Sequence, residues 1–166
     1  KLQLEYTEAI KQSGECLLNI INDVLDFSKI ESGNFELNNH QFDLIKCIED
    51  VFRLFEWKIR DKDVSLKYEI DNHVPTNLIG DSFRLRQVLI NLIGNAEKFT
   101  QSGKILVKIN STALEGSQQI QFIVSDTGIG IAEEQQSNLF KAFHQLDSSI
   151  TRQYGGTGLG LVICQG

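Results

Sequence analysis

The beginning of the chain shows the apolar spacing of one long helix. Leu17, Ile21 and Val24 recur at intervals of three and four residues, and a second apolar stripe runs beside them. Charged and amide side chains occupy the positions between the stripes. An apolar band of this width is typical of a bundle helix that faces two neighbours. The pattern therefore predicts a bundle helix over residues 1–31, ended by the Ser-Gly-Asn sequence at 32–34.

The rest of the chain alternates short strands with helices, which indicates helices lying on a sheet. Asp43 is a suitable N-cap for a helix over 43–61, and Asp81 or Ser82 for a helix that runs to about residue 99. Alternating apolar and polar residues predict strands at 35–37, 64–70, 104–111 and 119–124, with a turn at 115–117. Later patterns predict a short helix near 133–140, a polar lid or binding loop at 145–153 and a helix beginning at 159.

Composition favours one ordinary globular domain and argues against a nucleic-acid partner. The chain has 166 residues, of which 41% are hydrophobic and 23% charged, so it can bury a substantial core. Its net charge of −6 disfavours non-specific binding to nucleic acid or anionic lipid. Any phosphate group would therefore have to be held by local geometry and a metal ion.

The cysteines and the hydropathy pattern bear on location. Cys16, Cys47 and Cys164 are far apart, without a C-x-x-C pair or a histidine at ligand spacing, which favours free thiols in a reducing cytosol. No apolar run approaches the roughly 18 residues of a membrane span. We therefore expect a cytoplasmic segment, attached to a membrane only through parts outside this sequence.

Two glycine turns near the end of the chain indicate a nucleotide. Asp126-Thr127-Gly128-Ile129-Gly130 ends the last predicted strand, and residues 155–161 read GGTGLGL. Glycine has no Cβ, so several backbone N–H groups can converge on phosphate oxygens at such turns. Two turns imply two places where the backbone closely approaches the ligand.

The common nucleotide-binding motifs do not fit the second turn. No Gly-Lys-Ser/Thr follows it, which excludes a P-loop. A dinucleotide fingerprint needs an acidic residue about 20 positions further on, beyond the end of this sequence. A protein-kinase glycine loop would be followed by a strand lysine and a His-Arg-Asp loop, and the sequence has neither.

The helix that begins near residue 81 carries polar residues on one face. Asn91 and Asn95 are four residues apart, and Lys98 follows one turn later. Mg²⁺ prefers hard oxygen ligands and keeps several waters, so one amide oxygen together with phosphates can hold it. This face is therefore a candidate site for a Mg²⁺–phosphate group.

These motifs, in this order, resemble the catalytic and ATP-binding domain of sensor histidine kinases, especially the hybrid type. The resemblance covers essentially the whole chain. Residues 81–100 are similar to the family's asparagine box, 126–130 to its first glycine box, Phe140 and Phe143 to its phenylalanine box, and 156–160 to its second glycine box. The helix at 18–31 resembles the second helix of the dimerisation and phosphoacceptor hairpin.

The resemblance implies a fold and a domain division. The fold is an α/β two-layer sandwich of the Bergerat type, with a mixed sheet covered on one face by helices and preceded by a long bundle helix. Residues 1–32 would belong to the hairpin, and residues 33–166 to a catalytic domain that continues beyond the end of this sequence.

The resemblance also implies a role for each site residue. Asn95 would coordinate Mg²⁺, Asn91 and Lys98 would contact the phosphates, and Asp126 would accept a hydrogen bond from the adenine amine, which favours ATP over GTP. Arg152 would reach the γ-phosphate from the lid. The other residues implied to contact the nucleotide are Gly128, Gly130, Ile131, Phe140, Gly156, Thr157, Gly158, Leu159 and Gly160.

The implied activity is transfer of the ATP γ-phosphate to a histidine of the same dimer, for relay to a response-regulator aspartate. ATPase branches of the superfamily carry a glutamate base at the position of Asn91, and an amide is no base at neutral pH. His40, His73 and His144 lack the phosphoacceptor signature, so that histidine would lie on the hairpin's other helix. A non-catalytic ATP-sensing or scaffold module is the alternative.

Glu97 replaces an apolar residue of many relatives and is interpreted as surface variation.

Overall fold

The computed structural model describes residues 2–114, 117–144 and 157–165. Its elements, in chain order, are α1 (Leu2–Glu31), β1 (His40–Asp43), α2 (Leu44–Ile59), β2 (Asp63–Ile70), β3 (Asn77–Gly80), α3 (Ser82–Phe99), β4 (Ser102–Leu114), β5 (Ser117–Asp126), α4 (Glu133–Gln136) and α5 (Gly160–Gln165). They form two compact units. One comprises Lys1–Glu36 with Glu134–Gly166, and the other Leu37–Glu133.

The unit Leu37–Glu133 contains a mixed three-stranded sheet in the order β2-β4-β5. β2 and β4 are parallel, with Asp63 opposite Ser102, because α3 lies in the crossover between them. β4 and β5 are antiparallel, and Asp126 at the end of β5 lies opposite Ile105. A separate antiparallel pair joins β1 to β3. The long β4 is thus the central strand on which the unit is built.

Both large helices of this unit begin at an aspartate. The Asp43 carboxylate accepts a hydrogen bond from Lys46 N at 3.1 Å, and the Asp81 carboxylate accepts one from Arg84 N at 3.0 Å. Each bond satisfies an N–H that a helix start leaves without an intrahelical partner. The predicted N-caps are confirmed, with α2 slightly shorter than the predicted range.

The core lies between α2 and α3 on one side and one face of the sheet on the other. Ile105, Val107 and Ile109 of β4 are buried, and the lysines that alternate with them are exposed. The predicted two-layer arrangement, with helices on one face of a mixed sheet, is confirmed. The buried cluster consists of Leu44, Ile48, Val51, Phe52, Phe55, Val74, Leu89, Ile93, Val107 and Ile109.

α1 forms as the periodicity predicts. It ends where Gly33 N donates to Ile30 O at 3.1 Å and Asn34 N donates to Lys29 O at 3.0 Å, so bonds from beyond the helix satisfy its last carbonyls. Many of its apolar side chains are exposed in this chain, including Tyr6, Ile10, Leu17, Leu18, Ile21 and Leu25. That exposure fits a bundle helix better than a helix buried in its own domain.

Three details of the sequence prediction are wrong. Residues 34–39 form no strand, and β1 instead begins at His40 opposite Gly80 of β3, a strand that was not predicted. β3 ends at Gly80, and the next residue, Asp81, is already the N-cap of α3. The Asp81 carboxylate accepts a hydrogen bond from Asn38 N, so β3 offers no further strand residue with which 35–37 could pair. The short helix predicted near 133–140 ends at Gln136 and continues as turns.

Within residues 2–114, 117–144 and 157–165, no helix combines the length and apolarity that a membrane span requires.

Asp81 offers a test of how α3 is held at its beginning. Burial raises the pKa of Asp81, but backbone hydrogen bonds from Arg84, Asn38 and Phe83 outweigh it and hold the pKa below its usual 3.8. Because the folded pKa is depressed, the stabilisation should be full above the unfolded value and lost as the pH falls through the folded one.

We expect Asp81→Ala to lower the free energy of unfolding by about 1–2 kcal/mol at neutral pH, the usual cost of losing an N-cap. Denaturant unfolding at several pH values measures this difference, which should shrink below pH 3.8. Asp61→Ala is the matched control, because its side chain is 88% exposed. An equal loss in both variants, or a loss that does not change with pH, would contradict the capping role.

Candidate nucleotide-binding site

The polar face predicted for α3 is present in the structure. Asn91, Asn95 and Lys98 lie on the same face of the helix, and all three are half-buried. Lys98 Nζ lies 5.0 Å from the centroid of the Phe99 ring. Burial lowers the pKa of Lys98 from its usual value. Its ammonium is therefore partly desolvated, which strengthens its attraction to an anion.

The first glycine turn begins directly at the end of β5. Asp126 is exposed, and its Oδ1 accepts a hydrogen bond from Gly128 N at 2.8 Å. Thr127 N donates to Lys104 O at 3.1 Å, and Lys104 N donates to the Thr127 hydroxyl at 3.0 Å. These bonds fix the turn to the beginning of β4 and orient the Asp126 carboxylate. No pattern in the sequence predicts this role for Thr127.

The same turn lies against the last turn of α3. Ile129 N donates to Phe99 O at 3.3 Å. A Cβ on Gly128 would overlap Phe99 O and would lie only 2.9 Å from Phe99 C, so no other residue fits there without a backbone shift. Gly128 is thus required by close approach between the turn and α3. Beyond it, Gly130 has a φ of 70°, and the side chain of Ile131 is 46% exposed.

Glu97 is not the surface variation that the sequence suggested. Its side chain is only 15% exposed and forms an ion pair with Lys62, which is 30% exposed. Lys62 Nζ also donates to the backbone oxygen of Glu97 at 2.8 Å. The Glu97 carboxylate is therefore sheltered and paired, instead of lying free on the surface. Lys62 carries no sequence signal that would have revealed this contact.

The second glycine turn belongs to the unit that comprises Lys1–Glu36 and Glu134–Gly166. Thr157 Oγ1 accepts a hydrogen bond from Leu159 N at 3.1 Å, just before Gly160 begins α5, and Leu159 is fully buried. Gly158 has a φ of 70°, and a Cβ there would lie 3.0–3.2 Å from the backbone of Phe143 and His144. The glycine thus permits both the positive φ and the close contact.

Both residues of the phenylalanine box are largely exposed. The Phe140 side chain is 50% exposed and Phe143 is 63% exposed. The Phe143 ring contacts Phe27 of α1 edge to face, with ring centroids 6.0 Å apart. The segment beside Gly158 therefore packs on α1.

α1 also binds the second glycine turn through Asp23, which the sequence analysis did not single out. Thr157 Oγ1 donates to Asp23 Oδ2 at 3.0 Å. Burial raises the pKa of Asp23, the nearby Asp26 raises it further, and the bond from Thr157 lowers it. The Thr157 hydroxyl, in the turn just before α5, is thus held by the partly desolvated carboxylate of Asp23 in α1.

The structure therefore brings the predicted residues together in two groups. Asn91, Asn95 and Lys98 share a helix that meets the turn at 126–130, and residues 157–159 form the turn that leads into α5 at Gly160. Arg152 and Gly156 lie outside the described residues, and their roles stay predictions. The predicted boundary near residue 32 also stays a prediction.

Comparison with known protein families identifies the family of this chain. The model of the histidine kinase-, DNA gyrase B- and HSP90-like ATPases matches residues 80–166, which include α3 and both glycine turns. The chain belongs to this ATPase family.

Histidine kinases are among the curated relatives of this chain. The signal transduction histidine-protein kinase BarA of Escherichia coli (strain K12) is 47% identical over 164 residues, covering 98% of this chain and 18% of BarA. Hybrid signal transduction histidine kinase F of Dictyostelium discoideum is 43% identical over 162 residues, covering 97% of this chain and 15% of that protein. The chain thus spans under a fifth of the length of these relatives.

Solved histidine kinases share the fold of this ATPase-family chain. Full-length ShkA in complex with AMPPNP matches with a TM-score of 0.78 and 34% identity, over 98% of this chain and 33% of ShkA. The histidine kinase ThkA in complex with the response regulator protein TrrA matches with a TM-score of 0.58 and 29% identity, over 89% of this chain and 42% of that one.

The contact between Gly128 and Phe99 leads to a direct test. We expect Gly128→Ala to lower the free energy of unfolding by about 2 kcal/mol, since overpacking against a backbone carbonyl forces a shift. Thermal and denaturant unfolding measure the loss. Gly94→Ala is the control, because a Cβ there would meet only the Phe55 ring at an ordinary 3.8 Å. If both variants are as stable as the wild type, the turn does not approach α3 as described.

Proposed function

We propose that this chain is the ATP-binding catalytic part of a two-component sensor histidine kinase. The observation that carries the proposal is the junction at Phe99, where the polar face of α3 ends against the Asp126–Gly130 turn. Family membership and the AMPPNP complex of ShkA support a nucleotide as the ligand of this junction. In this proposal, Asp126 accepts a hydrogen bond from the adenine amine, which selects ATP over GTP because guanine presents a carbonyl there.

The donor set of α3 fits Mg²⁺ held together with phosphates. Among the described residues, no group of three His, Cys, Asp or Glu side chains could hold a metal ion by itself. An amide oxygen of Asn95, phosphate oxygens and waters provide the hard ligands that Mg²⁺ prefers. Mg²⁺ would supply charge neutralisation to the transferring phosphoryl group. In this proposal, Asn91 and Lys98 contact the phosphates.

The remaining nucleotide contacts belong to the segments that the sequence analysis singled out. Gly128, Gly130 and Ile131 would lie at the adenine end. The backbone N–H groups of Gly156, Gly158 and Gly160 would bind the phosphates, Arg152 would reach the γ-phosphate from the lid, and Phe140 would contact the nucleotide. For residues Thr157 to Gly160, the support is a turn that begins a helix, a common anion-binding geometry.

The side chain at position 91 argues against rapid hydrolysis and therefore favours phosphoryl transfer to a histidine. Asn91 is an amide and cannot activate water as a general base at neutral pH. Catalysis then depends on positioning and charge neutralisation. The acceptor would be a histidine on a partner helix of the hairpin within a homodimer, and the exposed apolar side chains of α1 support such a bundle.

A response-regulator receiver domain is the partner proposed for the next step. The complex of ThkA with TrrA supports this assignment, since a related kinase binds a response regulator. The phosphate would pass from the histidine to an aspartate of that domain. A cytoplasmic location is proposed with it.

Calorimetric titration with a non-hydrolysable ATP analogue tests the site. We expect Asp126→Ala to weaken binding by about tenfold or more, the usual effect of losing a hydrogen bond to a charged group. Asn95→Ala should remove the dependence of affinity on Mg²⁺. Asp61→Ala and Asn77→Ala are matched controls, because both side chains are exposed. A folded wild-type chain that does not bind the analogue would refute the proposal.

Transfer is tested separately from binding. A longer chain that includes the phosphoacceptor helix should form acid-labile phosphohistidine from ATP, and Asn91→Ala and Asn95→Ala should both suppress it. Binding of ATP without phosphohistidine would instead favour the non-catalytic sensing or scaffold module.

A further inference from the structure

The last turn of α3 is held from outside the helix at two carbonyls. A helix leaves its last four carbonyl oxygens without intrahelical partners. Glu97 O accepts a hydrogen bond from Lys62 Nζ, and Phe99 O accepts one from Ile129 N. Lys98, the residue assigned to the phosphates, lies between these two bonded positions. The orientation of its backbone is therefore set from both neighbouring residues.

Lys62 is itself anchored by secondary structure on each side. Its N–H donates to Ile59 O at 2.9 Å, at the end of α2. The next residue, Asp63, begins β2 and pairs with Ser102 of β4. The lysine thus stands in a short turn fixed by α2 and the sheet, and its ammonium bridges from this turn to α3.

The ammonium is bound by two oxygens of the same residue. Besides Glu97 O, it contacts Glu97 Oε1, and the two side chains are only 30% and 15% exposed. A cation near the end of a helix also interacts favourably with the helix dipole. A pair this sheltered differs from an exposed ion pair, which contributes little.

We propose that Lys62 and Glu97 are positioning residues of the nucleotide site. They do not contact the nucleotide. The Lys62–Glu97 pair holds the last turn of α3 against the sheet, which keeps Phe99 O in place for Ile129 N and keeps Lys98 aimed at the phosphates. This inference rests on the proposed function, and it extends that function to a contact outside the site.

Variants of Lys62 and Glu97 test the bonds of the Lys62 ammonium to the backbone oxygen and to the carboxylate of Glu97. Lys62→Met removes both bonds and leaves the Glu97 carboxylate half-buried without its cation, so it should have the largest effect. Glu97→Gln keeps the backbone oxygen and a neutral acceptor, so its effect should be smaller. In the double variant no carboxylate is left unpaired, and part of the loss should be restored. Lys62→Arg retains a cation with several donors and should recover most of the affinity.

Two readouts test positioning apart from general stability. We expect Lys62→Met to bind the ATP analogue about fivefold or more weakly, a factor within the range of coupling in one hydrogen-bond network. Hydrogen exchange at the Ile129 amide should accelerate in the same variant without nucleotide, because its bond to Phe99 O loosens. Exchange at amides in the centre of β4 reports global stability and should change less.

A second cation–carboxylate pair of this chain provides matched controls. Lys108 and Glu69 approach to 3.5 Å across β4 and β2, with side chains 49% and 63% exposed. Lys108→Met and Glu69→Gln repeat the same chemical changes at an exposed position. We expect both to leave affinity and Ile129 exchange within twofold of the wild type, as surface pairs usually do.

The outcomes are separable. Weaker binding together with faster Ile129 exchange in Lys62→Met, absent from the controls, supports positioning. Wild-type affinity in Lys62→Met, or weaker binding with unchanged Ile129 exchange, overturns it. If the wild type does not bind the analogue, the proposed function fails, and Ile129 exchange alone then decides whether the pair holds the turn: faster exchange supports the pair, and unchanged exchange overturns it.

Discussion

The carbonyl oxygen of Phe99 is the point on which the arrangement of the candidate site in the unit Leu37–Glu133 depends. It accepts the N–H of Ile129, and the bare Cα of Gly128 passes beside it. A helix end carries partial negative charge on its free carbonyls, so a backbone N–H there satisfies a real electrostatic requirement. Because the contact joins the end of α3 to the turn that follows β5, it brings the last turn of α3, which carries Lys98, close to the turn that begins at Asp126.

A chain with a net charge of −6 can bind an anionic nucleotide only through local features. The structure offers such features in the partly desolvated ammonium of Lys98 and in glycine turns where side chains are absent. The Asp126 carboxylate is held by a backbone N–H instead of a basic side chain. Binding here would thus rely on backbone geometry and a metal ion more than on a basic surface.

Much of the fold could be read from the sequence because the relevant signals are local. The aspartate caps at Asp43 and Asp81 and the apolar spacing of α1, α2 and α3 all act within a few residues. β3 was missed because its four residues form a strand only by pairing with β1, which lies far away in the sequence. The strand expected at 35–37 was wrong for the same reason, since alternation alone does not provide a partner.

The candidate site, like the fold, could be predicted only in part. The residues of the boxes could be found from spacing and family resemblance, but their supports could not. Lys62 reaches Glu97 across 35 positions, and Asp23 reaches Thr157 across 134. Neither contact follows from a periodic pattern. Glu97 was singled out from the family resemblance, but its exposure could not be judged without the position of Lys62.

The Lys62–Glu97 contact also affects how this chain can be recombined with its relatives. The family match begins at residue 80, so Glu97 lies inside it and Lys62 before it. A chimaera joined at that boundary would exchange Glu97 for the residue of the relative and keep Lys62. If the exchanged segment carries a residue without a carboxylate at position 97, the ammonium of Lys62 would retain the backbone oxygen but lose its ion-pair partner. A junction placed before α2 would transfer both partners together, and is the sounder boundary for domain exchange.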